Sequence, residues 1–463
     1  MRSARRSGGA AGLLAAALLV AASACGADSP DQTNSAEETQ SLPTTTPATT
    51  EAPEPAPVMA SAAVTISAPF DAMVDESEYV SPRWLVPWDD GFLALGVRQL
   101  PRPLPAELPA EIAELFPPEV VDLFPDGLPA NQQQAMDTLS EAGLLAVAMN
   151  VLNEHPEAMD AFESIPLPDP ELLASWSTDG DTWIPTELPV PVPIGDVGHV
   201  TASDGRLTIA GSTRSADEGG GWVVTISSTT DLQDWDTASF PVARPERMPE
   251  TQEYWVTPTA VAANAEHWVA RVMVENMNEL WSGAWDGEPT MIDERPMAWT
   301  LLATSEGFLD IDPGVAFSPD GATWTEVAGP VTNYDIQAAA PFGDDVLAIA
   351  RTANGSSPIL LLDATGALVT EVDAPELDDE FSVWSEVSSP AMILIPQSSD
   401  PEPGAWLLAT TDTQTWLLEE LTDFEPNLWR PPDVAASNGT IVLVGTPGSE
   451  PEAAVWQRFT MPG

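Results

Sequence analysis

The stretch STDGDTW at 177–183 places a hydroxyl residue, Ser177, two positions before Asp179 and an indole, Trp183, four positions after it. The arrangement recurs as SPDGATW at 318–324, with Ser318, Asp320 and Trp324. It returns in worn form as TTDLQDW at 229–235, keeping Asp231 and Trp235, and as TTDTQTW at 410–416, keeping Asp412 and Trp416. An Asp after a hydroxyl residue can accept backbone N–H bonds across a tight turn, and a Trp just beyond it has a large apolar face to bury. These residues are therefore expected to be structural.

A second phrase recurs upstream of the first. Asp-Gly or Asn-Gly turns precede short apolar runs: Asp90-Gly91 before FLALG, Asp204-Gly205 before LTIAG and Asn438-Gly439 before TIVLVG, with Asp344-Asp345 before VLAIA as a variant. Such dipeptides favour hairpins because both central positions take positive φ. Joined, the phrases describe a four-strand unit: strand a, tight turn, strand b, loop, strand c, Asp turn, strand d. Six units are counted, beginning near residues 79, 196, 254, 334, 381 and 432. The last ends on a third strand at 453–459, while an unassigned strand, AAVTISAP, lies at 62–69. Letting that strand complete the last unit removes an open edge. The expected fold is all-β, a six-bladed β-propeller over 62–463 closed by its N-terminal strand, with seven blades as the alternative count.

Two b–c connections are expected to be long. Residues 101–171 carry apolar residues at three- and four-residue spacing between Pro breaks, and read as a helical insertion in the first blade. Residues 274–313 read as a Trp/Met-rich insertion, in which Trp281 and Trp285 could form an exposed binding patch or pack onto the helical insertion. In a propeller the b–c loops share a face opposite the Asp turns, so both insertions are expected on one face.

The N-terminus sets an expected address. Arg2, Arg5 and Arg6 precede the apolar run 10–22 and then Ala22-Ser23-Ala24-Cys25-Gly26. The run is too short to span a bilayer and reads as a secretory signal over 1–24. The small residues ending in Cys25 resemble a bacterial lipobox, with Ala22 where Leu is usual, and the resemblance implies lipidation of Cys25. Cys25 is the chain's single cysteine, so no disulfide is expected. Residues 25–61, rich in Thr, Pro and Glu, read as a disordered tether. The expected location is the outer side of the bacterial cytoplasmic membrane, with a secreted form as the alternative.

The chain has 72 Asp and Glu against 15 basic residues, all Arg, and a net charge of -57. Removing Arg2, Arg5 and Arg6 with the signal leaves 12 Arg and a net charge of -60. Nucleic acid and anionic lipid surfaces are disfavoured partners, and the membrane is approached through the Cys25 lipid alone. A monomer is expected, with an envelope protein or glycan as partner. No spacing links His155, His199 and His267 into a metal site, so neither metal nor cofactor is expected.

The repeat resembles the Asp-box, or BNR, repeat of sialidase-like propellers, whose pattern is Ser-x-Asp-x-Gly-x-x-Trp. In the best copies here Gly and Trp each come one place early, and the resemblance covers most of 79–421. Sialidases hold a substrate carboxylate with three arginines and use a Tyr activated by a Glu, with an Asp as acid/base. Their Arg-Ile-Pro start is not present. Arg98, Arg214, Arg271 and Arg351 all fall at or just after a strand b, and Tyr79, Tyr254 and Tyr334 where a strand a begins. Such arginines could clamp an anionic ligand. No residue is assigned as catalytic. The leading expectation is a non-catalytic binding module, the alternatives being a sialidase-like glycosidase acting on an anionic glycan and a structural scaffold.

Overall fold

The computed structural model describes 64–70, 80–98, 110–125, 127–129, 132–155, 170–189, 197–203, 205–215, 221–245, 254–275, 277–295, 300–312, 314–352, 356–373, 381–383, 391–396, 405–410, 412–421, 433–445 and 455–461, with a few isolated positions besides. Its strands form four-stranded antiparallel sheets, each a meander in chain order. The first sheet holds β2 (Val80–Trp88), β3 (Gly91–Arg98), β4 (Glu171–Ser177) and β5 (Ile184–Thr186). The second holds β6 (Val197–Ser203), β7 (Arg206–Arg214), β8 (Trp222–Thr229) and β9 (Asp236–Val242). The third runs from β10 (Val256–Ala263) through β11 (His267–Val274) and β12 (Met277–Ala284) to β13 (Thr290–Arg295). The fourth comprises β14 (Thr300–Thr304), β15 (Gly307–Asp312), β16 (Gly314–Ser318) and β17 (Thr325–Glu326). The fifth has β18 (Asp335–Phe342), β19 (Asp345–Arg351), β20 (Ile359–Leu362) and β21 (Leu368–Val372). The sixth has β22 (Phe381–Val383), β23 (Ala391–Pro396), β24 (Ala405–Thr410) and β25 (Trp416–Leu421).

The last sheet is made of β26 (Asp433–Ser437), β27 (Thr440–Gly445), β28 (Val455–Thr460) and β1 (Val64–Thr65). Val64 pairs with Arg458 and Thr65 with Gln457, so an N-terminal strand completes the C-terminal sheet, as expected. Neighbouring sheets touch in sequence, chiefly through their first strands, and β26 returns to β2. The chain is an all-β propeller, with seven four-stranded sheets among the described residues, the alternative count.

The difference lies wholly in 274–313. That segment is no insertion: it supplies β12 and β13 of the third sheet and β14 and β15 of the fourth. Two features hid them. The β14–β15 hairpin turns on Ser305-Glu306-Gly307, with Glu where Asp-Gly or Asn-Gly marks three of the other hairpins. Asp310 then interrupts the apolar run of β15, and it is 2 % exposed. A carboxylate at a buried strand position breaks the pattern on which a strand is recognised.

The apolar core lies between the sheets. Trp268, Ala270, Val272 and Val274 of β11 pack toward Phe240 and Val242 of the second sheet, while Val269 on the opposite face meets Phe308 of the fourth. This period-two division lets each sheet cement two seams at once.

Residues Pro101–Pro168 belong to a second compact unit. It contains the expected helices: α1 (Ala110–Ala113), α2 (Pro118–Val121), α3 (Gln132–Glu141) and α4 (Leu145–Glu154). The apolar pattern runs unbroken through 132–154, but the chain bends by 119° between α3 and α4. Gly143 has φ 69°, and the Leu144 N–H reaches back to the Leu139 carbonyl. A left-handed Gly followed by this long back-bond stops a helix whatever its apolar spacing.

Candidate functional site

The four Asp turns share one geometry. Asp179 Oδ1 accepts the N–H groups of Asp181 and Thr182 and the Ser177 hydroxyl. Asp320 does the same with Ala322, Thr323 and Ser318. Asp231 takes Gln233, Asp234 and Thr229, and Asp412 takes Gln414 and Thr415. The residue after each Asp has positive φ: Gly180 at 69°, Leu232 at 62°, Gly321 at 74° and Thr413 at 61°. That twist points successive amides at one carboxylate oxygen. In three copies the hydroxyl two places before the Asp also accepts the twisted residue's own N–H.

These bonds favour the ionised carboxyl. The Thr182 and then the Asp181 amide hold Asp179 below the ordinary carboxylate range, with Arg458 adding a smaller attraction. Asp231, Asp320 and Asp412 are lowered chiefly by the amides of Asp234, Thr323 and Thr415. At Asp363, in the fifth sheet's shorter turn, burial raises the pKa but the Thr365 and Ala367 bonds outweigh it. The folded pKa lies below the unfolded one in every case. Their stabilisation is therefore complete above about pH 4, the unfolded value, and is lost as pH falls through the depressed folded values. Thermal unfolding followed from pH 6 down to pH 2 is expected to show Tm falling below that point. Replacing Asp179, Asp320 and Asp412 with Asn is expected to flatten the fall.

Each turn leans on the preceding blade. Trp183 meets Trp456 of the last sheet edge to face at 5.8 Å. Trp235 and Leu232 pack on the first sheet's cluster, Trp324 on the third and fourth sheets', and Trp416 among Leu347 and Ile349 of the fifth. Arg458 on β28 reaches Asp181 at 3.4 Å, tying the last sheet to the first sheet's Asp turn. The turns are seams between blades.

The residues considered for an anionic ligand are dispersed. Arg98, at the end of β3, pairs with Glu171 opposite it on β4. Arg214, at the end of β7, lies over the Trp222 ring at 5.5 Å. Arg271 is not at a strand end facing solvent: it is fully buried within β11 and paired with Asp310 of the fourth sheet. Arg351 is exposed at the end of β19, opposite Asp335. Tyr254 is buried; its hydroxyl donates to the Val242 carbonyl, and Arg244 lies 4.7 Å over its ring. Tyr334 donates to Glu371 on β21, the outer strand of the fifth sheet, and this bond raises the phenol above its ordinary value of 10.0. The arginines stand on four different sheets, and two of them, Arg98 and Arg271, are paired with carboxylates. Tyr79 and Cys25 lie outside the described residues.

Trp281 and Trp285, considered as an exposed patch or as packing on the helical insertion, are half-buried. Trp281 stacks on Phe240 at 4.6 Å and donates to Glu279, while Trp285 donates to the Asn264 carbonyl. Both pack against the cluster between the second and third sheets.

A half-open cleft of about 350 Å³ opens between the third sheet and the fourth sheet's Asp turn, lined by His267, Ser282, Gly283, Ala284, Thr290, Ile292, Asp320 and Ala322. None of the considered Arg and Tyr residues lines it. No group of three or more His, Cys, Asp or Glu among the described residues is placed to hold a metal ion.

Sequence reasoning missed the Arg271–Asp310 pair, although an Arg closing the apolar run WVAR and an Asp within FLDI were its visible trace. It also missed Arg206, which reaches Ser228 and Asp236 within the second sheet.

The sequence matches no protein-family model and no curated protein. Among solved structures, the chain is similar to the β-propeller domain of the trilobed protease of Pyrococcus furiosus, at 7% identity over 54% of this chain and 77% of that one, with a TM-score of 0.32. It is similar to Trypanosoma rangeli sialidase, at 10% identity over 61% of this chain and 56% of that one, with a TM-score of 0.28. A Lactobacillus plantarum protein aligns at 12% identity over 63% of this chain and 92% of its own, with a TM-score of 0.34.

Proposed function

We propose that this protein is a lipid-anchored, extracytoplasmic propeller acting as a non-catalytic binding module, and that the helical unit at 101–168 is its contact element. The supporting observation is a division of labour. The helical unit is a separate compact body carried on the β3–β4 connection. In the ring, Arg98, Arg214, Arg271, Tyr254 and Tyr334 are instead engaged within and between sheets. The address rests on Arg2, Arg5, Arg6, the short apolar run and Cys25. Cys25→Ser is expected to abolish fatty-acid labelling and release the protein to the medium.

Because Arg98 and Glu171 are direct strand partners, a loop of about four residues can replace 101–169 without parting β3 from β4. The shortened protein is expected to keep the Tm within about 4 °C of the parent and to lose cross-linking to cell-envelope components. Unchanged cross-linking overturns the reading and leaves the ring as a scaffold.

A further inference from the structure

We infer that α4 is a helix built to seat in an apolar groove rimmed by Arg or Lys on a partner protein, an inference that rests on the helical unit being the contact element. The sequence of α4, LAVAMNVLNE, carries no charge before Glu154. Leu145, Ala148, Met149 and Leu152 form one stripe, and Ala148 on it is 3 % exposed, so this stripe faces the unit. A second stripe, Leu144, Val147 and Val151, runs along another side, and Val147 is 37% exposed. Only the narrow face of Asn150, Asn153 and Glu154 is polar. A helix apolar on most of its circumference belongs in a buried setting.

Among the described residues the unit's buried apolar side chains are Ile112, Val120, Ala135 and Ala148, one from each helix, and none of the four joins a hydrophobic cluster of the sheets. Helices of ten residues are marginal in water and depend on burying an apolar face. The outer stripe of α4, half-buried at Leu144 and Val151 and exposed at Val147, is therefore only partly covered.

Charge decides what covers it. Asp122, Asp137, Glu141 and Glu154 surround the stripe in sequence, and Arg102 is the one Arg in 101–171. A second copy would bring the same sign to the contact, and an anionic bilayer surface likewise. A groove that is apolar at its floor and cationic at its rim matches both features, the helix-in-groove mode of recognition.

The test uses the full-length protein and two dye-labelled amphipathic helical peptides with the same Leu face, one bearing Lys and the other Glu on its polar face. The Leu/Lys peptide is expected to bind, more weakly as salt rises, and the Leu/Glu peptide is not. Val147→Ser with Val151→Ser is expected to weaken Leu/Lys binding about tenfold or more, with the circular dichroism spectrum preserved. Equal binding by this double variant overturns the inference, because the peptide is then held by the acidic surface at large. Equal binding of both peptides removes the cationic rim, and a dimer that the double variant dissolves makes a second copy the occupant; either overturns it. If the short-loop protein loses envelope cross-linking while the double variant keeps it, α4 fails and the helical unit survives as contact element. If both keep it, both readings fail.

Discussion

Arg271→Met is expected to destabilise the propeller by about 3–5 kcal/mol. The substitution takes the Arg271 guanidinium away from Asp310, a carboxylate only 2 % exposed between the third and fourth sheets. Even in the parent the pair is imperfectly satisfied, since Nε and Nη1 of Arg271 are buried without a hydrogen-bond acceptor. The architecture does not call for a charge there. Where the first strand bulges and pairing resumes, the partner on the second strand is Leu95 in the first sheet, Ala210 in the second and Ile349 in the fifth, against Arg271 in the third. Removing both charges together, Arg271→Leu with Asp310→Leu, is therefore expected to recover the loss and to gain about 1–4 kcal/mol over the parent. Urea unfolding followed by Trp fluorescence measures both. A single-variant cost under about 1 kcal/mol would show that water already reaches the pair.

Gly180→Ala is expected to cost about 2–4 kcal/mol, from two separable sources. Gly180 has φ 69°, and a left-handed L-residue costs about 1–2 kcal/mol. The new Cβ would also press on Cγ2 of Val442, a stiff β-branched side chain on the last sheet. Adding Val442→Ala is expected to restore the steric part and leave the backbone part, which a double-mutant cycle separates. The converse is available at Thr413, where a β-branched residue sits at φ 61° in the same turn. Thr413→Gly is expected to stabilise by up to about 1 kcal/mol, the relieved twist being partly offset by glycine's greater freedom when unfolded. If Gly180→Ala unfolds at the parent's urea midpoint, the Asp turn is not a seam between blades.

The Asp turns and Asp-Gly hairpins were legible because each rests on local chemistry: a carboxylate collecting adjacent amides, or a dipeptide that tolerates positive φ. The closing strand was legible too, because the last unit lacked a partner strand and 62–69 lacked a unit. The fourth blade was not, since its hairpin turns on Glu306-Gly307 and its second strand carries Asp310. The explanation for Asp310 sits on another sheet, in Arg271, and no local pattern reports a partner 39 residues away. The candidate Arg and Tyr residues show the same limit. Their place at strand ends was readable, but Tyr334 meeting Glu371, or Arg244 lying over Tyr254, depends on which outer strand comes back beside them.

The pairing of Val64 with Arg458 joins positions roughly 390 residues apart, and chain closure over such a span is among the slowest kinds of contact to form. Six sheets can assemble from neighbours in the chain, whereas the seventh must wait for both ends. A chain emerging from its N-terminus thus holds an incomplete circle until residues 455–460 have arrived. Any tension applied to the chain ahead of residue 64 would be transmitted first to β1, so the last pairing to form is also the first to carry load.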